Sequence, residues 1–170
     1  MKTRTHILTL LLLIGVSANS FAQDTGLLAS IPKSKNGYLN SEKNVLATIN
    51  WLESTQLNDD AEKHAKQLNL LTEWMITTPT IDVSVDVDIV NFINDNAVLT
   101  TFFMAGYTKY ALENNHSKDK VQGSIAGVRT AIKMYKKEST MKDDEAMNKL
   151  IELEKKGELE KWVKEQLAKK

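Results

Sequence analysis

The chain of 170 residues contains no cysteine. That excludes disulfide staples, thiolate metal sites and the lipid-bearing cysteine of an exported lipoprotein. Proline is nearly absent too, with only Pro32 and Pro79 present, which suits a helical domain because proline breaks helix interiors. Histidine is sparse. His64 and His116 are the only ones beyond His6, and neither sits in a cluster of ligands at metal-binding spacing. No nucleophile motif accompanies them, so a recognisable histidine-dependent triad is excluded. Net charge is lacking as well, with 22 basic against 22 acidic side chains. Once Lys2 and Arg4 are set aside with the leader discussed next, the balance tips slightly acidic. General nucleic-acid or polyanion binding needs a marked basic excess, and none is expected here.

What is present begins with an export signal. Lys2 and Arg4 form a positive start, and Ile7, Leu8, Leu10–Ile14 and Val16 form a compact apolar stretch. Ser20-Phe21-Ala22 puts small residues at the −3 and −1 positions of a processing site, so residues 1–22 are expected to be removed and Gln23 to begin the mature chain. Val16-Ser17-Ala18 is a weaker alternative site. The apolar run is short of the roughly 20 residues that cross a bilayer, which argues for a cleaved signal over an uncleaved anchor. No later segment approaches a span, so no membrane insertion of the mature chain is expected, and the product should lie in the periplasm or medium.

Residues 23–40 lack periodicity and read as a flexible leader that Leu27, Leu28 and Ile31 tack onto a single helical domain, residues 41–170. A first helix is expected after Asn40 or Ser41, with Val45, Ile49 and Leu52 as its stripe. Asn58-Asp59-Asp60 reads as a turn and fresh cap for a second helix, whose apolar positions are Ala61, Ala65, Leu68, Leu71 and Met75, joined by Trp74. Thr77-Thr78-Pro79 ends it, and the short link makes the two an antiparallel hairpin. Residues 80–88 change period: apolar and polar residues alternate, the mark of an extended strand. With no second strand to pair with, this is an extended connector or an edge awaiting a partner. Ala97–Leu112 is apolar nearly all round and reads as the buried central helix. From Lys118 to Lys137 the seam Val121, Ile125, Val128, Ile132 and Tyr135 is regular, and Gly123, Gly127 and Ala131 run beside it. Glycine inside a helix costs about 1 kcal/mol relative to alanine, so close backbone approach is expected there, with Ala105 and Gly106 as counterparts. Gly157 divides the last stretch into two short amphipathic helices with solvated faces. The sum is an all-α, irregular bundle of about five or six helices with one short extended segment near 80–88.

Several groups of residues invite a functional reading. Asp82, Ser84, Asp86 and Asp88 imitate the spacing of a calcium loop, but Val87 stands where the turn glycine belongs and Ile93 where the bidentate glutamate belongs. A charged edge or acidic contact surface fits better, with Asp82, Asp86 and Asp88 as its contact groups. Arg129, Lys133, Lys136 and Lys137 form a basic stripe suited to an acidic partner or a phosphate, or else are the wet face of the helix. As the only arginine after Arg4, Arg129 is a candidate for a bidentate carboxylate pair. Glu53, Glu73, Asp95 and Glu113 are the acids available to a carboxylate-based hydrolase. Trp51, Trp74, Phe102, Phe103, Tyr107 and Tyr110 are the aromatics available to an apolar pocket. No catalytic, metal or cofactor residue is assigned.

Glu73-Trp74-Met75, Phe103-Met104-Ala105-Gly106-Tyr107 with Tyr110-Ala111-Leu112-Glu113, and Ala126-Gly127-Val128 with Tyr135-Lys136-Lys137 resemble segments of a group of small exported bacterial proteins of unknown function. The resemblance implies an all-helical exported domain and no activity. The expectation is a non-enzymatic exported domain acting through contact with a protein partner or with itself, with no cofactor. A carrier of a small apolar ligand and a carboxylate-dependent hydrolase are the alternatives.

Overall fold

The computed structural model, which describes residues 26–92 and 96–169, contains six helices, and four of them start where the short polar side chain of Ser34, Asp60, Asp119 or Asp144 reaches a free backbone N–H. The six are α1 (Lys35–Ser54), α2 (Ala61–Thr77), α3 (Val98–Glu113), α4 (Lys120–Lys137), α5 (Glu145–Lys156) and α6 (Leu159–Leu167). No strand occurs among the described residues. The chain is all-α. The expected signal and processing site lie outside the described residues, as do Ile93 and Asp95.

Helix α1 begins earlier than expected. Ser34 caps it by accepting from the Gly37 N–H at 3.2 Å, so residues 35–40 belong to the helix and not to the leader. Ser41, one of the two expected caps, is used otherwise: its hydroxyl donates to the Tyr38 carbonyl and accepts from Trp74 Nε1, both at 2.8 Å. The residues before Ser34 are held down, with Leu27 and Leu28 buried. Asn44 Nδ2 donates to the Gly26 carbonyl at 2.7 Å, and the Leu28 N–H donates to Thr48 Oγ1 at 2.8 Å.

Helix α2 is capped by Asp60, as expected, through the Lys63 N–H at 3.1 Å. Its buried face is rotated from the expected stripe. Ala61 and Ala65 are exposed, and His64, Gln67, Leu71, Trp74 and Met75 are buried. His64 can be buried because both ring nitrogens have partners, Nδ1 at the Asp60 carbonyl (2.9 Å) and Nε2 at Thr55 Oγ1 (2.8 Å). Its ring stacks on Trp51, centroids 4.3 Å apart. A polar ring so satisfied costs little to bury.

Helix directions follow from three ties. Tyr38 Oη meets Thr77 Oγ1 at 2.8 Å, which brings the end of α2 to the start of α1. His116 Nε2 meets Glu42 Oε1 at 2.9 Å, which brings the α3–α4 turn to the same end. Lys137 Nζ donates to the carbonyls of Leu52 and Glu53 at 3.4 Å and to that of Thr55, which brings the end of α4 to the end of α1. Helices α2 and α3 are therefore parallel, and residues 78–97 return the chain along the length of the bundle.

Helices α3 and α4 make the closest pair. A Cβ added at Gly127 would lie 2.7 Å from the Phe103 carbonyl oxygen, and one at Gly123 would lie 2.6 Å from the Tyr107 ring. One at Gly106 would lie 2.6 Å from the Ala126 carbonyl oxygen. The glycines of α4 thus face aromatic residues, and Gly106 alone meets the α4 backbone as a small counterpart. Gly157 adopts φ +73°, and the Glu158 N–H returns to the Leu153 carbonyl at 2.9 Å, closing α5 before α6 starts. Met147, Leu150, Leu159, Trp162 and Val163 then join one core with Leu99, Phe102, Phe103, Tyr107, Val128 and Ile132.

Candidate functional site

The connector between α2 and α3 and the end of α2 that leads into it carry three of the four large apolar side chains left in solvent among the described residues. Val87 is 76% exposed, Ile76 at its approach 68% and Val85 39%. Its course explains the exposure. Residues 81–86 run without secondary structure and pass Tyr107, near enough for the Asp82 carboxylate to act on its hydroxyl. At Asp86 the chain turns: Oδ1 accepts from the Asp88 N–H at 3.0 Å, and the Asp86 carbonyl accepts from Ile89 (3.0 Å) and Val90 (2.9 Å). Ile89, Val90 and Phe92 then enter the core.

That turn corrects the expected acidic edge. Asp82 and Asp88 are exposed, but Asp86 is 1% exposed and spent on the turn, so it is no contact group. The expected phase of the alternation fails for the same reason: Ile81 and Val83 are partly buried and Asp82 is exposed, but Val85 and Val87 face outward while Asp86 faces inward. Four oxygen side chains do not share one face, and the described residues contain no group of three or more acidic, histidine or cysteine side chains that would hold a metal.

The basic stripe is largely consumed inside the fold. Lys133 Nζ meets Glu53 Oε2 at 2.8 Å, and Lys109 reaches the same oxygen at 3.6 Å. Lys137 caps the carbonyls at the end of α1 and lies 3.2 Å from Glu138 Oε1. Arg129 Nε donates to Glu154 Oε1 at 2.7 Å, one bond where a bidentate pair was expected. Lys136 alone of the four is exposed without an ion pair among the described residues. These side chains fasten α4 to α1 and α5, and they do not form a free docking stripe.

The other candidates separate in the same way. Glu53 is buried against its two lysines, whereas Glu73 and Glu113 are exposed. Trp74, Phe102, Phe103 and Tyr107 are sealed in the core at 1% exposure or less. Phe103 and Tyr107 rest on the bare glycine backbone of α4, and Trp51 lies apart on His64. Burial raises the Tyr107 pKa above its ordinary value, and the nearby Asp82 carboxylate adds to the rise.

His116, weighed in the sequence only as a metal ligand or triad member, is tied to Glu42 in the fold. It follows Asn115, and both hold left-handed backbone, φ +54° and +57°, a conformation that costs a non-glycine residue energy and is kept only where its surroundings fix it. Glu42 fixes this one. Two shallow hollows of about 320 and 270 Å³ flank the ring, sharing Pro79 and Thr80; Lys35 and Leu39 line one, Asp82 and Lys118 the other. A carboxylate-oriented imidazole is half of a proton relay. The other half is missing among the described residues, because Thr78 and Thr80 hydroxyls bond each other at 2.9 Å and no hydroxyl bonds the imidazole. The Asn-Asn-His run, with residue types tolerant of left-handed backbone, is the sequence signal that marked this turn.

No described helix is long and apolar enough to cross a membrane. No family model, curated protein or solved structure matches the chain.

Proposed function

We propose that the chain is an exported, non-enzymatic domain that works by binding a protein partner through the connector of residues 80–88. One observation carries the reading: Val85 and Val87 stand in solvent on an ordered connector, Val85 at the end of its extended run and Val87 in the turn that Asp86 closes. Exposed valines beside an extended backbone that pairs with no strand are the combination through which a chain takes up a partner. The export signal read from residues 1–22 places that contact in the periplasm or medium.

Replacing Val87 with a photoreactive phenylalanine in the native host tests this. Illumination is expected to yield a discrete protein adduct in the envelope or medium fraction, and a probe at Lys161 on the solvated face of α6 is expected to yield none. Absence of an adduct from position 87, or identical adducts from both positions, would contradict the reading.

A further inference from the structure

Independently of the contact at the connector, we infer that the hollow between the start of α1 and the α3–α4 turn binds a small carboxylate with an apolar body. The hollow, about 320 Å³, is lined by Lys35, Leu39, Pro79, Thr80 and His116, and its volume lies at the small end of ligand sites. Leu39, 41% exposed, and Pro79 give it an apolar wall. Lys35 gives it charge: the side chain is exposed and makes no ion pair among the described residues. Lys35 also opens α1, at the positive end of the helix dipole, where a cation is disfavoured and an anion is favoured. A bound carboxylate would be drawn by both and would remove that conflict.

His116 adds the third group. Glu42 holds Nε2 at 2.9 Å, and Nδ1 makes no hydrogen bond among the described residues. A carboxylate only accepts, so in the neutral ring Nε2 donates to Glu42 and Nδ1 offers a lone pair. Nδ1 can meet an anion only once it has taken a proton from solvent, and Glu42 then balances the imidazolium. The other charged groups around the ring are Lys35 in this hollow and Asp82 and Lys118 in the second one. In the second hollow the aspartate offsets the lysine. The first has no acid among its lining residues, and the anion belongs there.

The probe is hexanoate, titrated into the mature protein and followed by the NMR signals of the histidine rings. A saturable shift of His116 is expected, while His64, with both nitrogens engaged, keeps its position. Hexanamide on the native chain, and hexanoate on Lys35→Gln, are expected to bind about tenfold more weakly, the worth of one hydrogen bond to a charged group. Calorimetry in buffers of different protonation enthalpy is expected to show proton uptake with hexanoate. Binding should tighten from about pH 8 to 6, where imidazoles titrate. His116→Asn keeps a residue suited to left-handed backbone and is expected to bind more weakly, without proton uptake. No saturable shift, equal binding of hexanamide, or binding without proton uptake in the native chain overturns the inference. Inorganic phosphate bound as tightly as hexanoate overturns it too, because such a site makes no use of Leu39 and Pro79.

Discussion

Helices α3 and α4 and the connector of residues 78–97 share one side chain, Tyr107, and use it in opposite ways. On α4 its ring lies so close to Gly123 that no Cβ fits between them. On the connector side its hydroxyl lies near Asp82 and Ser84, and Val85 and Val87 beyond them remain in solvent. The first contact is complementary on both sides and excludes alternatives. The second is looser and leaves Ile81, Val83 and Val85 without backbone hydrogen bonds to the rest of the chain among the described residues. A domain that spends its small residues and aromatics on one helix pair, yet leaves apolar side chains exposed on an ordered segment, separates what holds it together from what it presents.

The sharpest way to break the comparison is Gly127→Ala. Helix propensity favours alanine by about 1 kcal/mol, but the added methyl meets a backbone oxygen that cannot turn aside. Overpacking of this kind costs about 1–3 kcal/mol, and a net loss is expected in denaturant melts, with a lower Tm. Unchanged stability would mean that α3 and α4 slide apart freely. Next in size is Asp86→Ala, which removes the side-chain acceptor of the connector's turn. A loss of about 1 kcal/mol is expected, together with faster amide exchange at Asp88.

Tyr107 tests the junction itself. Its pKa is raised in the folded state by burial and by Asp82, so the unfolded chain releases the proton first. The resulting stability is fully present below about pH 10, the ordinary tyrosine value, and is lost as pH rises through the folded pKa. Melts between neutral pH and strong alkali should therefore show a steeper alkaline decline for the native chain than for Tyr107→Phe. The smallest effect on stability is expected for Val87→Ser, within about 0.5 kcal/mol of the native chain because the side chain is exposed. The same substitution should nonetheless weaken partner capture, and that split between stability and binding separates the two regions.

Much of the helix pair was legible in the sequence, because the α4 seam repeats strictly and interior glycines are conspicuous. The cut at Gly157 and the cap at Asp60 were equally plain. Legibility failed where polar residues found partners distant in sequence. His64 and Gln67 replaced alanines on the buried face of α2, since a histidine with both nitrogens satisfied packs as an apolar ring does. Ser34 took the cap for which Asn40 and Ser41 are equally suited on composition alone. His116 pairs with a glutamate 74 residues away, and Lys133 and Lys137 likewise close onto α1. No local spacing encodes those ties, so a stripe of cations read as a free surface became internal fastening. The alternation of residues 80–88 marked an extended segment but not its end, because Asp86 turns the chain while the alternating pattern runs on.

The contrast between the two regions is tested most directly by native-state hydrogen exchange of the mature protein alone. The account predicts that the Val83 and Val85 amides exchange at nearly unprotected rates, while amides around Phe103 and Gly127 exchange only through global unfolding. Protection of Val83 and Val85 comparable to that of α4 would mean that the fold itself already occupies this edge, and would contradict its role as a surface for a partner.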